Sequence, residues 1–466
     1  MRKLPFNSSK ILLAAAIFLT PAIAGISSPI TASAASAAVV TQPATIATGL
    51  GESAEQYALF LKDKFNITFA ASITRGDLIS AVATALTHTP NDTAVVFEDL
   101  DSSSAIYKDA VALYQQGIIT SKNVNANTRI SAASAILLAI KAANLEELAY
   151  TYPEAKVTAS LAKLNWKGTS IDIQSDAAKL LAAAVDTGLL PSEYYNEVRP
   201  NAPVSASLSA VLLGKILEAN GQYKHYIGRS TDSDILLKLN DAYATSDIIK
   251  APELQKVVDE ALKQDLVTGY NLKDNRFDSH FVDSHSLVYG HSDLKHALQL
   301  IGLLRSENID AKIQFEPKTS AFIYLKEWGE PGISDLYEVV QIENGNYIEY
   351  AKEYDIAFEF NNTEDKSRFN QIILTYAKKN EDDQPGLISG SWWQPLYFSL
   401  TELKDYETIS NNTFSDGNYY AQSFSLKENS ADVIAGFKQL DPTLKIDSYN
   451  FWVDGPFYNY LNGEAK

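Results

Sequence analysis

The feature that most limits how this chain can fold is an internal helix–turn–helix unit. Its clearest copy is FEDLDSSSAIYKDAVALYQQGIITSKNVNANTRISAASAILLAIKAANL, residues 97–145. Ala110, Val111, Leu113 and Tyr114 fall on one face of a first helix. Gly117 stops that helix, because a left-handed cap costs glycine least. A second helix follows in SAASAILLAIKAA. The later part returns at residues 176–217, with Gly188 in the place of Gly117, and a shortened form occupies residues 65–86. The second helices begin at Ile73, Ile130 and Val204, and the wider spacing before the third implies an insertion around TYPEAKVTASLAKLNWKG. A unit of this size buries too little apolar surface to fold alone, so the three must share a core.

The first of these helix starts is ITRGD, residues 73–77. Thr74 suits an N-cap, and Asp77 completes a capping box that the helix dipole favours. Arg75 then sits on the first turn, where a guanidinium can hold an anion through two parallel hydrogen bonds. Taken alone, these residues favour a capped helix with a solvated arginine; the repeat context brings the ligand-binding reading level with it. Together with Phe97-x-Asp99 before a first helix and QQGIIT after it, they resemble the S-layer homology (SLH) family, which usually has I-T-R-A-E here. The resemblance covers residues 55–220, with SLH-like copies at 55–90, 97–145 and 164–220. It implies an all-α three-repeat bundle whose grooves hold a pyruvylated secondary cell wall polysaccharide. On that reading Thr74, Arg75, Asp77 and Asp99 are the polysaccharide-binding residues. The other copies depart from the pattern. They have Ile130-Ser131-Ala132-Ala133-Ser134 and Val204-Ser205-Ala206-Ser207-Leu208, without the arginine or the acid, and Arg129 and Arg199 lie out of register. At most one groove keeps the family's residues.

Arg2, Lys3 and Lys10 precede an apolar run, Ile11 to Phe18, and then small residues with Ala32-Ser33-Ala34 and Ala35-Ser36-Ala37 as cleavage options. Pro21 and Pro29 interrupt the run, so residues 1–37 are expected to be a secretory signal peptide rather than a span. The mature chain would start near Ala35 or Ala38, followed by a linker over residues 38–54. No later stretch is apolar enough to cross a membrane. The chain has no cysteine, hence no disulfide and no lipidated thiol, a usage that suits exported proteins of Gram-positive bacteria. Its formal net charge is −18, and loss of the three signal-peptide cations would make it more acidic still. That field argues against nucleic acid or an anionic membrane as the main partner.

Beyond residue 230 the composition shifts toward Tyr, Phe, Trp, Asn, Asp and Glu, which predicts a second linker at 221–234 and a second domain at 235–466. Within it, YGHSDLKHALQLIGLLRSENIDAK, residues 289–312, reads as a polar lead-in, a buried helix and a turn into a strand. Ala297, Leu303-Leu304-Arg305 and Ile309-Asp310-Ala311-Lys312 resemble the core of transglutaminase-like enzymes, whose helix runs C-x-x-x-A, L-L-R, then G-I-P-A-R. The resemblance implies an α+β, papain-like fold. It sets Asp293 at the catalytic cysteine's position and Ser320, opening Ser320 to Leu325, at the histidine's. An aspartate at a helix start gains the stabilisation that would favour a thiolate, but it supplies no nucleophile, and Ser320 supplies no base. Thiol chemistry is therefore excluded, and no catalytic residue is expected.

Four of the six histidines, His280, His285, His291 and His296, crowd together with Asp283 and Asp293. Imidazole and carboxylate suit zinc, which makes His285, His291 and His296 candidate metal ligands. Their spacings match no metal motif, and a solvated loop is the plainer reading. Ser292 or Ser320 as a serine nucleophile lacks an oriented base. Downstream, YEVVQIE and YDIAFEFN alternate as strands and KSRFNQIILTYAKK reads as a helix. Trp392, Trp393, Tyr397, Trp452, Phe457 and Tyr458 concentrate aromatic surface, for a core or for stacking on a ligand.

The expectation is a multidomain protein, an all-α SLH-like bundle followed by an α+β transglutaminase-like (papain-like) domain. It would be exported and wall-associated, and would need no cofactor. The first part would bind secondary cell wall polysaccharide, the second an unidentified peptide, glycan or protein. One alternative is a metal-dependent hydrolase built on His280 to His296. The other is a scaffold that binds proteins rather than polysaccharide.

Overall fold

The computed structural model describes residues 52–164, 174–376 and 397–463. The signal segment, most of the first linker, residues 165–173, and Trp392 and Trp393 lie outside them.

The first part is helical: α1 (Ala54–Phe65), α2 (Arg75–Ala85), α3 (Tyr107–Gln115), α4 (Ala132–Ala142), α5 (Glu146–Tyr150), α6 (Glu154–Ala162), α7 (Asp176–Asp186) and α8 (Ala206–Ala219). Hydroxyl residues start five of them. Ser53, Thr74, Ser131, Ser175 and Ser205 each accept a hydrogen bond from the amide three residues on. Gly117 and Gly188 turn the chain at φ of +75° and +73°. One apolar core joins these helices, with Phe60, Ile79, Leu113, Ile136, Leu181 and Leu212 fully or almost fully buried. The segments before α2, α4 and α8 also touch main chain to main chain. Ile130 donates to the Ile73 carbonyl at 3.1 Å, and Val204 to the Ile130 carbonyl at 3.0 Å.

α1 and α8 pack closely at Gly214, where a β-carbon would lie 2.0 Å from Cδ1 of Tyr57. The Tyr57 ring cannot move aside. It is fully buried, its hydroxyl donates to Glu218, and its ring sits 5.2 Å from that of Tyr223. Gly214→Ala should therefore destabilise the chain by about 1–3 kcal/mol despite alanine's better helix propensity. Chemical denaturation would measure this, and a neutral or stabilising result would show that the ring has room.

The second part holds β1 (Gly228–Arg229), α9 (Ile235–Thr245), α10 (Pro252–Lys263), β2 (Gly269–Asp274), β3 (Ser286–His291), α11 (Leu294–Ser306), β4 (Ala311–Tyr324), β5 (Tyr337–Gln341), β6 (Tyr347–Phe360), α12 (Thr363–Tyr376), β7 (Tyr397–Ser399), β8 (Glu407–Asp416), β9 (Tyr419–Leu426), α13 (Ser430–Leu440), β10 (Asp447–Val453) and α14 (Gly455–Leu461). Its strands run in the order β4-β2-β9-β8-β10-β7-β3-β6, and β6 pairs back onto β4. Every pairing is antiparallel. The result is a closed eight-stranded barrel, with β1 and β5 lying outside the ring on β4 and β6. β4 and β6 pair along their whole length, from Ala311 opposite Phe360 to Tyr324 opposite Tyr347. Among the described residues β7 is held by two pairs on each side, Trp452 with Ser399 and Val453 with Phe398 on β10, and Val288 with Phe398 and Tyr289 with Tyr397 on β3.

This architecture corrects the expected fold class. A closed antiparallel barrel is neither a transglutaminase-like nor a papain-like domain, so the chain is not an all-α bundle joined to such a domain. The physical reason lies in the strand alternation. In KIQFEPKTS the polar residues Lys312, Gln314, Glu316, Lys318 and Ser320 turn into the closed ring, where they are buried. Ile313 and Phe315 point outward and are covered by α9, α11 and α12, together with Leu300, Ile356, Phe358 and Phe369. The same alternation in an open sheet would have put the polar row in water.

The two barrel ends are closed differently. At one end α14 inserts Phe457 beside Phe398, Ile409, Phe451 and Val453. The other end meets the helical part. Lys224 donates to Glu359 at 2.8 Å, Glu52 pairs with Lys312, and Lys64 pairs with Asp283 at 2.5 Å. Val282, from the barrel, is buried in the helical core. Of the aromatic group, Tyr397 and Phe457 are buried, and Trp452 and Tyr458 are half-buried.

Candidate binding groove

A groove of about 350 Å³ lies where the start of α2 meets the loop before α4. Main-chain pairing makes it: Arg75 and Gly76 donate to the carbonyls of Thr128 and Ala126, each at 2.9 Å. These bonds occupy the first amides of α2, so an anion here would depend on side chains rather than on the helix terminus. The lining is mostly polar. It includes Thr74, Asp77, Asp99, Ser104, Asn125, Asn127 and Thr128, with Leu100, Ile106 and Ala126 as apolar floor.

Thr74, Asp77 and Asp99 all line this groove, and each carboxylate is already engaged. Asp77 accepts from the Thr74 amide at 2.8 Å, and its own amide donates to Thr74 Oγ1 at 3.1 Å, which closes the capping box. Asp99 accepts from the amides of Val124 at 2.7 Å and Asn125 at 2.6 Å. Its work is to hold the loop that forms the opposite wall. Arg75 lies between lining residues but is not itself one. It is half-buried, and among the described residues its guanidinium has no carboxylate within 4.0 Å. Burial lowers its pKa, and the charge of Asp99 opposes that shift. Sequence reasoning missed Ser104, Asn125, Asn127 and Thr128, because pairing across the chain rather than local pattern brings them here.

The groove between α1 and α8 differs. It encloses about 380 Å³ and is lined largely by Ala54, Ala58, Leu59, Ile67, Phe69 and Ala210. The starts of α4 and α8 are capped by serine and carry no arginine on their first turns.

The barrel keeps Asp293 and Ser320 apart. Asp293 caps α11, accepting from the Lys295 amide at 3.0 Å. Burial would raise its pKa, but the hydrogen bonds and charge of Lys295 outweigh this and hold it low. Its carbonyl accepts from the Tyr354 hydroxyl at 3.0 Å, on the outer face of β6. Ser320 points into the lumen, 2.6 Å from Glu353 Oε2 and 2.7 Å from Asn271 Oδ1. The sheet itself stands between the two positions.

Of the clustered histidines, the structure brings two together. His291 and His296 stack with centroids 3.9 Å apart, and the Tyr289 hydroxyl lies 3.1 Å from His296 Nδ1. His280 sits edge-on to His225. Burial lowers the pKa of His280, His285 and His296. Among the described residues no three His, Cys, Asp or Glu side chains converge as a metal site.

Inside the barrel is an ion network that sequence reasoning did not single out. Lys273 donates to Glu316 at 2.6 Å and to Asp355 at 3.0 Å, and Lys318 donates to the other oxygen of Asp355 at 2.6 Å. Burial pushes the Glu353 carboxyl up to about 8, against the opposing pull of Lys318. Burial likewise raises Asp278 to about 7, helped by the nearby Glu316. The signal was present in the sequence as charged and polar residues recurring at alternate positions of two long strands, Lys312 to Ser320 and Glu353 to Glu359. No helix among the described residues is long and apolar enough to cross a membrane. No protein-family model matches the chain, and no curated protein matches it in sequence.

Proposed function

We propose that the helical part binds an anionic polysaccharide of the cell envelope through the groove between α2 and the 125–128 loop. The protein would then be exported and held at the wall, and the barrel would be the part displayed. The observation that supports this reading is electrostatic. Both carboxylates of the groove are committed to backbone amides, while Arg75 beside them has no ion-pair partner among the described residues. A sugar acid could take that guanidinium as a paired hydrogen-bond donor, with Asn125, Asn127 and Thr128 offering neutral partners for hydroxyls.

Co-sedimentation of the mature protein with Gram-positive cell walls, before and after removal of the secondary polysaccharide, tests the proposal. Binding should require the polysaccharide. Arg75→Ala should weaken it about tenfold or more, the effect of losing one charged hydrogen-bonding group. Equal binding to stripped walls, or an Arg75→Ala variant that binds normally, would refute it.

A further inference from the structure

β5 is the last strand on its side of the sheet. It pairs with β6 along one edge, and among the described residues no strand covers the other. The register shows which groups face outward. The Lys352 amide donates to the Leu336 carbonyl at 2.7 Å, and the Ile342 amide to the Asn346 carbonyl at 2.8 Å. Antiparallel ladders alternate between bonded and non-bonded positions. Leu336 and Ile342 thus place Glu338 and Val340 among the residues bonded to β6. Tyr337, Val339 and Gln341 fall between them, with N–H and C=O directed to the free edge. Tyr337 already bridges to Ser334. Two consecutive outward positions, Val339 and Gln341, remain open.

The surroundings of this edge suggest what it receives. Leu336 is 48% exposed, Val340 52% and Trp328 40%, and Ile333 is fully exposed. Around them lie the exposed carboxylates of Glu327, Glu330, Asp335 and Glu343, while Glu338 on the strand itself pairs with Lys250 at 2.9 Å. The stretch has one lysine, Lys326, whose ammonium donates to the Asn344 carbonyl at 3.0 Å. An open edge with apolar side chains normally invites pairing with any available strand. Here a second copy would bring the same carboxylates against their equals, which disfavours self-pairing. A strand that carries cations meets the opposite situation.

We propose that the outer edge of β5 receives an extended segment of a partner protein, rich in alternating basic and apolar residues, as an added antiparallel or parallel strand. Main-chain bonds to Val339 and Gln341 supply the pairing. The acidic surround selects basic side chains, and Leu336 and Val340 give apolar contact.

The test uses the mature protein and two synthetic heptapeptides, one alternating lysine with valine and one alternating glutamate with valine, titrated at low salt. The basic peptide should bind at least about tenfold more tightly, with affinity falling as salt rises. Val339→Pro removes an outward N–H without touching the ladder to β6, and should weaken the basic peptide by about tenfold. Replacing Glu327, Glu330 and Asp335 together by lysine should reverse the preference between the peptides. Equal binding of both peptides, or an unaltered preference in the triple-lysine variant, would overturn the proposal. So would a dimer in sedimentation analysis that Val339→Pro dissolves, since it would make the occupant a second copy.

Discussion

Replacing Lys273 by methionine should cost the folded chain roughly 3–5 kcal/mol, among the largest effects open to a single substitution here. Burial by itself would lower the pKa of this lysine, but Glu316 and Asp355 raise it well above its ordinary value. It therefore stays charged, and it is the shared donor to both carboxylates. Without it, Asp355 keeps Lys318, whereas among the described residues Glu316 keeps only the Ser279 amide at 2.9 Å. An uncompensated buried carboxylate is the main source of the loss. Adding Glu316→Leu to Lys273→Met should recover part of it, because the pair then leaves together. Urea unfolding of the three proteins is the measurement. A loss below about 1 kcal/mol for Lys273→Met would mean that water screens the lumen as it does a surface pair.

Glu353 carries the second large effect, and its sign is opposite to that of an ordinary ion pair. The Ser320 hydroxyl has one proton but lies within hydrogen-bonding reach of two acceptor oxygens, on Glu353 and Asn271. A proton on Glu353 resolves this: Glu353 donates to Ser320, and Ser320 donates to Asn271. The folded pKa of about 8 stands above the usual 4.5, so the unfolded chain ionises first as pH rises. Stability from this group is full below pH 4.5, falls between pH 4.5 and 8, and is level above, a change on the order of 5 kcal/mol. Glu353→Gln keeps a donor toward Ser320 and cannot ionise. It should melt close to the wild type at pH 4.5 and well above it at pH 8. Thermal melts at those two values distinguish the cases. A glutamine variant that melts below the wild type at pH 8 would show that an ionised Glu353 pairs with Lys318.

What could be read from the sequence was local. Thr74 with Asp77, Gly117, Gly188 and Asp293 each mark a helix end within a few residues, and the structure has a cap or a turn at each. The barrel could not be read this way, because its closure depends on pairing Ala311 with Phe360 and Val453 with Phe398, which no short window contains. The strings Leu303-Leu304-Arg305 and Ile309-Asp310-Ala311-Lys312 describe a buried helix turning into a strand, a step shared by many mixed folds. They carried no information on which strand lies next. The groove divided along the same line. Thr74, Asp77 and Asp99 were visible, while Asn125, Asn127 and Thr128 depend on the contact of Arg75 and Gly76 with a loop some fifty residues away along the chain.

The pairing of β4 with β6 also gives the molecule a direction. Lys312 and Glu359 lie at the pole that meets the helical part, and β5 joins β6 at Tyr347 to Ala351, toward the other pole. Ten residues of extended chain separate those points along β6, a distance of about 33 Å. A polymer held by the helical groove and a strand added to β5 would therefore attach at opposite poles, with a rigid hydrogen-bonded stave between them. Pulling on both would load β4 and β6 along their shared ladder in shear, where all the rungs resist together, rather than peel the ring open beside β7, where each ladder has two described rungs.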